Sequence, residues 1–426
     1  MTASHPPPVG AHAPREGGGE RESSAKAHRW LLAAFFAGWV FMCADRAVLS
    51  PVIGPVAREF GASLSQIGLL SSGFFLAYAV LQIPFGFIAN VVGRKRLLVV
   101  GFFAFGLTTA LSGLTNGFLV LLVLSVATGV GQATYYPTQF SIAAEAIPPR
   151  GRAFGLAIVN NGMAVGVAGG TVLASVLAFE LHLGWRTAFV AMGLLTMVAA
   201  VAMAIVVFEP RTARRQADAS IRLSLLNRPQ VAAYLAGFCS LYGFFVILVW
   251  LPFYLSEARG LGDLGGGFVS VLATIPAIPV ALLAARFSDR WNSRRRLLLV
   301  LFPVAAISLV AIPLAPSLPF LMGALVLYAV SGKLVADPLI AAYLADVTDP
   351  RGYSAGYGLL NFAGMASSVV APALTGLLAE ATGTLDLAFY LAAGLLIVGV
   401  ATLAFVGRDE VKSRHTMVED RDGSMT

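Results

Sequence analysis

The sequence predicts an all-α membrane protein of twelve transmembrane helices in two pseudo-symmetric six-helix bundles, and three observations carry that expectation. Of its 426 residues 58% are hydrophobic and only 12% charged, a balance far from that of soluble domains. Apolar segments of about 20 residues recur along the chain, each long enough as a helix to cross a hydrocarbon core of ~30 Å. Loops of the first half then reappear, in altered form, in the second half.

The spans are expected at 30–56, 64–90, 96–114, 117–147, 150–180 and 185–208, then at 229–256, 264–290, 296–314, 317–346, 352–380 and 385–407. They give an N-terminal bundle over 30–208, a basic linker over 209–228 and a C-terminal bundle over 229–407. Residues 1–29, with PPP and GGG among mixed charges, and residues 408–426 have too little apolar surface to fold, so both tails are expected to be disordered. The polar leader is too long for a signal-peptide n-region and the first apolar segment too long for an h-region, so the first helix is expected to stay. Cys43 and Cys239 fall inside spans as small hydrophobes and form no disulfide or metal pattern.

A net charge of +7 would suit nucleic acid if the basic residues shared a surface, but they sort by loop instead. Of 29 Lys and Arg, 24 lie in the two tails, at 94–96, at 150 and 152, within 211–228 and 286–296, and at 351. The alternate loops hold Arg58, Arg186 and Arg259, while Arg46 and Lys333 lie within spans. This is the positive-inside asymmetry. It puts both termini in the cytoplasm, as in a bacterial inner membrane, and gives the basic residues a topological role with no nucleic-acid partner.

At an offset of 201, SIAAEAIPPRGRAFGLAIVNNG (141–162) lies against AAYLADVTDPRGYSAGYGLLNFAG from 341. Glu145 matches Asp346, Arg150 matches Arg351, Asn160 matches Asn361, and upstream Pro137 matches Pro338. At an offset of 199, GFIANVVGRKR (86–96) meets ARFSDRWNSRRR (285–296). Parallel repeats of this kind place a substrate site between the halves near the bilayer midplane.

GFIANVVGRKR resembles the signature loop of the major facilitator superfamily, Gly-x-x-x-Asp-Arg-x-Gly-Arg-Lys, and ARFSDRWNSRRR resembles its degenerate second copy. The resemblance implies the major facilitator fold over the whole membrane domain. It also implies a latch of acid against helix end at the signature loops, here Asn90 with Arg94 and Asp289 with Arg290. Asn90 replaces the usual acid and Ala285 the usual glycine. ADRAVLSPVIGPVAREFG, QIGLLSSGFFLAYAVLQIPFG and LLNFAG are similar to the anion:cation symporters, which include sugar-acid transporters and sialin. Those proteins usually carry an arginine and a glutamate in the fourth helix, where this chain has Ser125 and Gln132.

Four ionisable residues lie deep within spans: Asp45, Arg46, Lys333 and Asp337. Each costs ~3 kcal/mol at a helix centre if unpaired, so they must face protein or water. Lys333 and Asp337, four apart, share a helix face and can pair; the repeat sets them against Gln132 and Tyr136. The pair is read either as a structural ion pair or as part of a site in which Lys333 and Arg46 attract an anion while an acid carries protons. Neighbours on a helix point about 100° apart, so one of Asp45 and Arg46 faces a cavity and the other an adjoining helix. With the fourth-helix acid replaced by Gln132, Asp45 is the main proton-coupling candidate and Asp337 the next.

Tyr78, Gln132, Tyr136, Asn160, Asn161 and Asn361 are expected to line the cavity or to bond across helices, because polar groups are costly against lipid. Glu145, Arg150, Asp346 and Arg351 at helix ends are expected to act as gate or latch groups. Gly162, Gly166, Gly169 and Gly170 in the fifth helix allow close packing. The five histidines sit in tails or near a helix end, and no triad, metal-ligand or phosphate-loop spacing occurs within the spans, so neither enzyme chemistry nor a cofactor is expected. The expectation is a monomeric secondary transporter working by alternating access, with proton-coupled or Na+-coupled uptake of a small organic anion, a carboxylate or sugar acid. The alternatives are a proton-driven exporter of drug-like or organic compounds and a non-transporting sensor of the same fold.

Overall fold

A computed structural model describes residues 18–146, 149–207, 227–291, 294–348 and 353–422. Twelve helical spans are long and apolar enough to cross a membrane: α1 (Arg29–Phe60), α2 (Leu64–Ala89), α3 (Arg94–Ser112), α4 (Phe118–Gln139), α5 (Val159–Glu180), α6 (Gly184–Val206), α7 (Arg228–Glu257), α8 (Gly262–Ser288), α9 (Arg294–Leu314), α10 (Leu318–Leu344), α11 (Gly356–Thr382) and α12 (Asp386–Phe405). No strand occurs among the described residues. Large apolar side chains such as Ile205 and Phe405 are exposed, as a lipid-facing surface requires.

The helix containing α1 begins at Gly18 and the one containing α12 runs to Asp422, so parts of both tails expected to lack structure are helical. Extending an existing helix needs no new nucleus, which lets polar residues follow the membrane segment. Of the linker 209–228 only Asn227 and Arg228 are described. There Asn227 and Gln230 form a reciprocal capping box that starts α7.

The two halves repeat one packing scheme. In the first, α1 packs on α5, α2 on α4 and α3 on α6; in the second, α7 packs on α11, α8 on α10 and α9 on α12. Between halves α2 meets α11 and α5 meets α8, and these contacts are themselves exchanged by the repeat.

The α1–α5 seam shows why small residues are needed. A Cβ on Gly162, Gly166 or Gly170 would lie 2.7, 2.3 and 2.2 Å from the carbonyl oxygens of Phe36, Val40 and Ala44. Glycines four apart thus let the backbones touch beside Asp45. Gly169, grouped with them from sequence, stands outside the seam, since a Cβ there meets nothing within 4 Å. Gly170→Ala is therefore expected to destabilise the protein by about 1–3 kcal/mol through overpacking and to lower its Tm, while Gly169→Ala leaves Tm unchanged. Thermal unfolding of the two purified variants checks this pair, and equal Tm values would contradict it.

At the end of the bundle opposite the 94–96 and 294–296 loops the halves are joined. Ser50 Oγ donates to the Val249 carbonyl at 2.6 Å. Arg58 lies 3.4 Å from Glu257 and 4.0 Å from Asp263. A Cβ on Gly267 would fall 1.9 Å from Ser175 Oγ, so α8 and α5 are in close contact there. Arg58 is 63% exposed, and an exposed ion pair contributes little stability; it fixes how the ends of the halves meet.

Candidate functional site

Asp45 and Arg46 lie near the middle of α1 and diverge. Asp45 turns into the first bundle, where Thr109 Oγ1 of α3 donates to Oδ1 at 2.6 Å and Gln132 Nε2 of α4 donates to Oδ2 at 2.7 Å. Arg46 turns towards α2 and α4. Its Nε donates to Gln132 Oε1 at 2.9 Å, and its guanidinium carbon lies 4.3 Å from the centre of the Tyr78 ring and 5.6 Å from that of Phe75. Each stack adds cation–π attraction.

Gln132, fully buried, is the pivot of this arrangement. One amide serves both charges, giving its N–H to the acid and its carbonyl to the base. A glutamate in its place would have no donor for Asp45 unless protonated, so the amide suits a neighbouring carboxylate. Nη2 of Arg46 is buried without a hydrogen-bond partner. A buried guanidinium donor left unpaired is costly, and an incoming carboxylate oxygen would satisfy it.

The second half repeats the placement with different chemistry. The helix of α4 ends at Ala133 and restarts at Tyr135, and that of α10 ends at Ser331 and restarts at Lys333. Pro137 and Pro338, the repeat-matched pair, lack an N–H and so free the carbonyls of Ala133 and Leu334 four residues earlier. Each break therefore sets a polar residue, Gln132 or Lys333, beside backbone released from the helix ladder, as discontinuous helices do at transporter binding sites.

Lys333 is 7% exposed. Its Nζ is 3.0 Å from Asp337 Oδ2, 3.0 Å from Met163 Sδ of α5 and 5.0 Å from the Phe244 ring centre. The contact with α5 puts Lys333 at the boundary between halves. An aromatic chain links it to Arg46: Phe75 of α2 lies 4.7 Å from Phe245 of α7, and Phe245 lies 5.5 Å from Phe244. The two intramembrane cations thus flank one aromatic wall across the half–half interface.

The remaining expected site residues divide. Tyr78 and Gln132 join the Arg46 cluster, and Tyr136 packs edge-on against Trp39 with ring centres 6.3 Å apart. Asn361 Nδ2 donates to Gln82 Oε1 at 3.2 Å and so ties α11 to α2. Asn160, its repeat partner, is exposed and Asn161 half-buried; the position corresponding to Gln82 is apolar, Ala281 or Leu283, so the tie is made once. Asp346 pairs with Arg294 within the second half, and Arg94 is half-buried at the start of α3. Arg351 and the side chains of Glu145, Arg150, Asn90, Asp289 and Arg290 lie outside the described residues.

Sequence reasoning missed Thr109, Gln82, Met163 and the Arg58–Glu257 contact. A threonine or glutamine in an apolar run signals a buried partner without saying which. Met163 looks like any packing residue, and the ion pair joins residues 199 apart in the chain.

Two six-helix halves with charged and polar groups at their common midplane define a membrane transporter. The Major Facilitator Superfamily profile matches residues 31–336 and 267–423, and the chain belongs to that family, a family of transporters and not of enzymes. It is 27% identical over 388 residues to the probable sulfoacetate transporter SauU of Cupriavidus necator, covering 85% of this chain and 90% of that one. It is 27% identical over 403 residues to the hexuronate transporter of Bacillus subtilis, covering 88% and 94%. Among solved structures, a bacterial homolog of the human lysosomal transporter Spinster, inward-facing and occupied, superposes with a TM-score of 0.74 at 18% identity, covering 89% of this chain and 97% of that one. The resemblance to sugar-acid and anion transporters read from the first and second spans therefore agrees with what these curated relatives carry.

Proposed function

We propose that the protein takes up a small organic anion, a carboxylate or sugar acid, by proton-coupled alternating access, with Arg46 holding the anion and Asp45 carrying the proton. The Gln132 amide, which bridges an acid to a cation with an open donor, carries this reading. With Asp45 ionised, its charge offsets that of Arg46 through the shared amide. When Asp45 takes a proton, Arg46 is left as an uncompensated cation that favours an anion. Proton and anion then bind better together than apart, a coupling that is reciprocal by linkage, and they cross as a pair of nearly zero net charge. Two cations at the centre disfavour an exporter of cationic drugs.

The test is uptake into proteoliposomes under an imposed pH gradient, with sulfoacetate, D-glucuronate, D-galacturonate and D-galactonate as probes and glucose and tetraphenylphosphonium as controls. At least one acid should accumulate more than about tenfold over pH-equilibrated vesicles. Movement of the phosphonium alone would replace this reading with the exporter.

Orientation is tested separately. The basic loops assign the 209–228 linker to the cytoplasm and the 113–117 turn to the outside. Gly117→Cys, where a Cβ meets nothing within 4 Å, should react with an impermeant maleimide on intact cells, and Arg215→Cys should not. The reverse pattern would invert the topology.

A further inference from the structure

We propose that Asp45 exchanges its proton with the medium through a water-holding recess inside the first half, separate from the substrate path between the halves. The proposal rests on the reading of Asp45 as the proton site and adds the route by which the proton arrives.

Beside Asp45 lies a cavity of about 50 Å³ whose lining comes only from residues of α1, α2, α3, α4 and α6. At ~10–15 Å³ of such space per molecule it has room for about three to five waters. The substrate region is bounded by both halves, through Phe75 with Phe245 and Lys333 with Met163, and Arg46 and Phe75, which also line the recess, stand between the two spaces.

Four of the five hydroxyls on the lining have one sense. Thr109, Ser112, Ser125 and Thr128 border the recess, and each gives its hydroxyl proton away. Thr109 donates to Asp45, Ser112 to the Thr108 carbonyl, Ser125 to the Leu70 carbonyl and Thr128 to the Leu124 carbonyl. What these four turn to the space is lone pairs; the fifth, Ser71, borders it as well. The lone pairs accept hydrogen bonds from water or hydronium and offer no donor to an anion. Arg46 borders the inner end; its Nε is spent on Gln132, its guanidinium lies over Tyr78, and its unpaired Nη2 is buried. No other charged side chain lines the recess among the described residues.

The recess also lies close to the end of the bundle away from the basic loops. Ser112 is the last residue of α3, and Thr109 is three residues before it, ~5 Å along the helix at 1.5 Å per residue. Above this end sits a polar cluster. Arg186 lies 2.8 Å from Glu59 and donates to the Thr115 carbonyl at 2.5 Å, and a Cβ on Gly113, next to Ser112, would be 2.4 Å from the Arg186 carbonyl. A proton relayed from this surface through a short water chain reaches an Asp45 oxygen, and the chain returns it by the reverse steps, with no bond formed or broken besides O–H.

The experiment uses full-length protein in proteoliposomes with Cys43 and Cys239 replaced by alanine. Ag+, a cation small enough for a space of this volume, is added to the face that labels Gly117→Cys. Ser112→Cys should react at least tenfold faster than Thr196→Cys, whose position is buried elsewhere in the same half. Equal rates, or reaction only from the other face, would overturn the proposal. On any acid probe that wild type accumulates, silver-blocked Ser112→Cys should lose pH-driven accumulation about tenfold while counterflow stays within about twofold. Proportional loss of both, or accumulation that follows a Na+ gradient at constant pH, would also overturn it. Intact accumulation by Asp45→Asn would sink the coupling reading itself, whatever the silver result.

Discussion

Asp45→Asn is expected to abolish accumulation driven by a pH gradient, by at least about tenfold, and to leave counterflow of labelled substrate within about twofold of wild type. Asparagine has the shape of the protonated acid and cannot ionise. Its amide can present the oxygen to Gln132 Nε2 and its N–H2 to Thr109, whose hydroxyl accepts as readily as it donates, so the bonds of 2.7 and 2.6 Å have replacements. Gln132 then keeps its carbonyl on Arg46. The variant should fold, bind anion and exchange one labelled molecule for another, since that cycle moves no net proton. Arg46→Ala should impair both modes, because it removes the guanidinium that faces Tyr78 and with it the attraction for an anion. Wild-type concentration of substrate by Asp45→Asn would move the coupling role to Asp337.

Lys333→Gln is expected to eliminate transport and to cost about 1–3 kcal/mol of stability, less than the ~3–5 kcal/mol of a fully buried pair, because the Asp337 side chain is 36% exposed and partly solvated. The ammonium is 3.0 Å from Asp337, so its removal leaves that carboxylate uncompensated in the middle of α10. The informative measurement is the double variant Lys333→Gln/Asp337→Asn. If Lys333 helps to attract the anion across the aromatic wall, the double variant should regain thermal stability without regaining uptake. Recovery of uptake together with stability would show that the pair only holds α10 to α5 and α7. The packing favours the first outcome: Lys333 contacts Met163 of the other half, whereas the side chain of Asp337 is 36% exposed.

By itself the sequence determined the class, the twelve spans and the repeat. These follow from quantities that add along the chain, namely apolar length against the thickness of a bilayer and residue identity at a fixed offset. It also determined that Asp45 and Arg46 point apart, because the angle between neighbours on a helix is local geometry. Only the tertiary structure decided which charge faces which helix, that Gln132 serves both, and that Asn361 is spent on Gln82 while Asn160 has no amide opposite it. Those outcomes depend on the rotation of each helix about its own axis. Close contacts such as Gly170 against Ala44 and Gly113 against Arg186 set that rotation, and they join residues 126 and 73 positions apart, beyond any pattern a single helix carries. Apolar periodicity cannot supply it, because a helix with lipid on one side and protein on the other is hydrophobic all round.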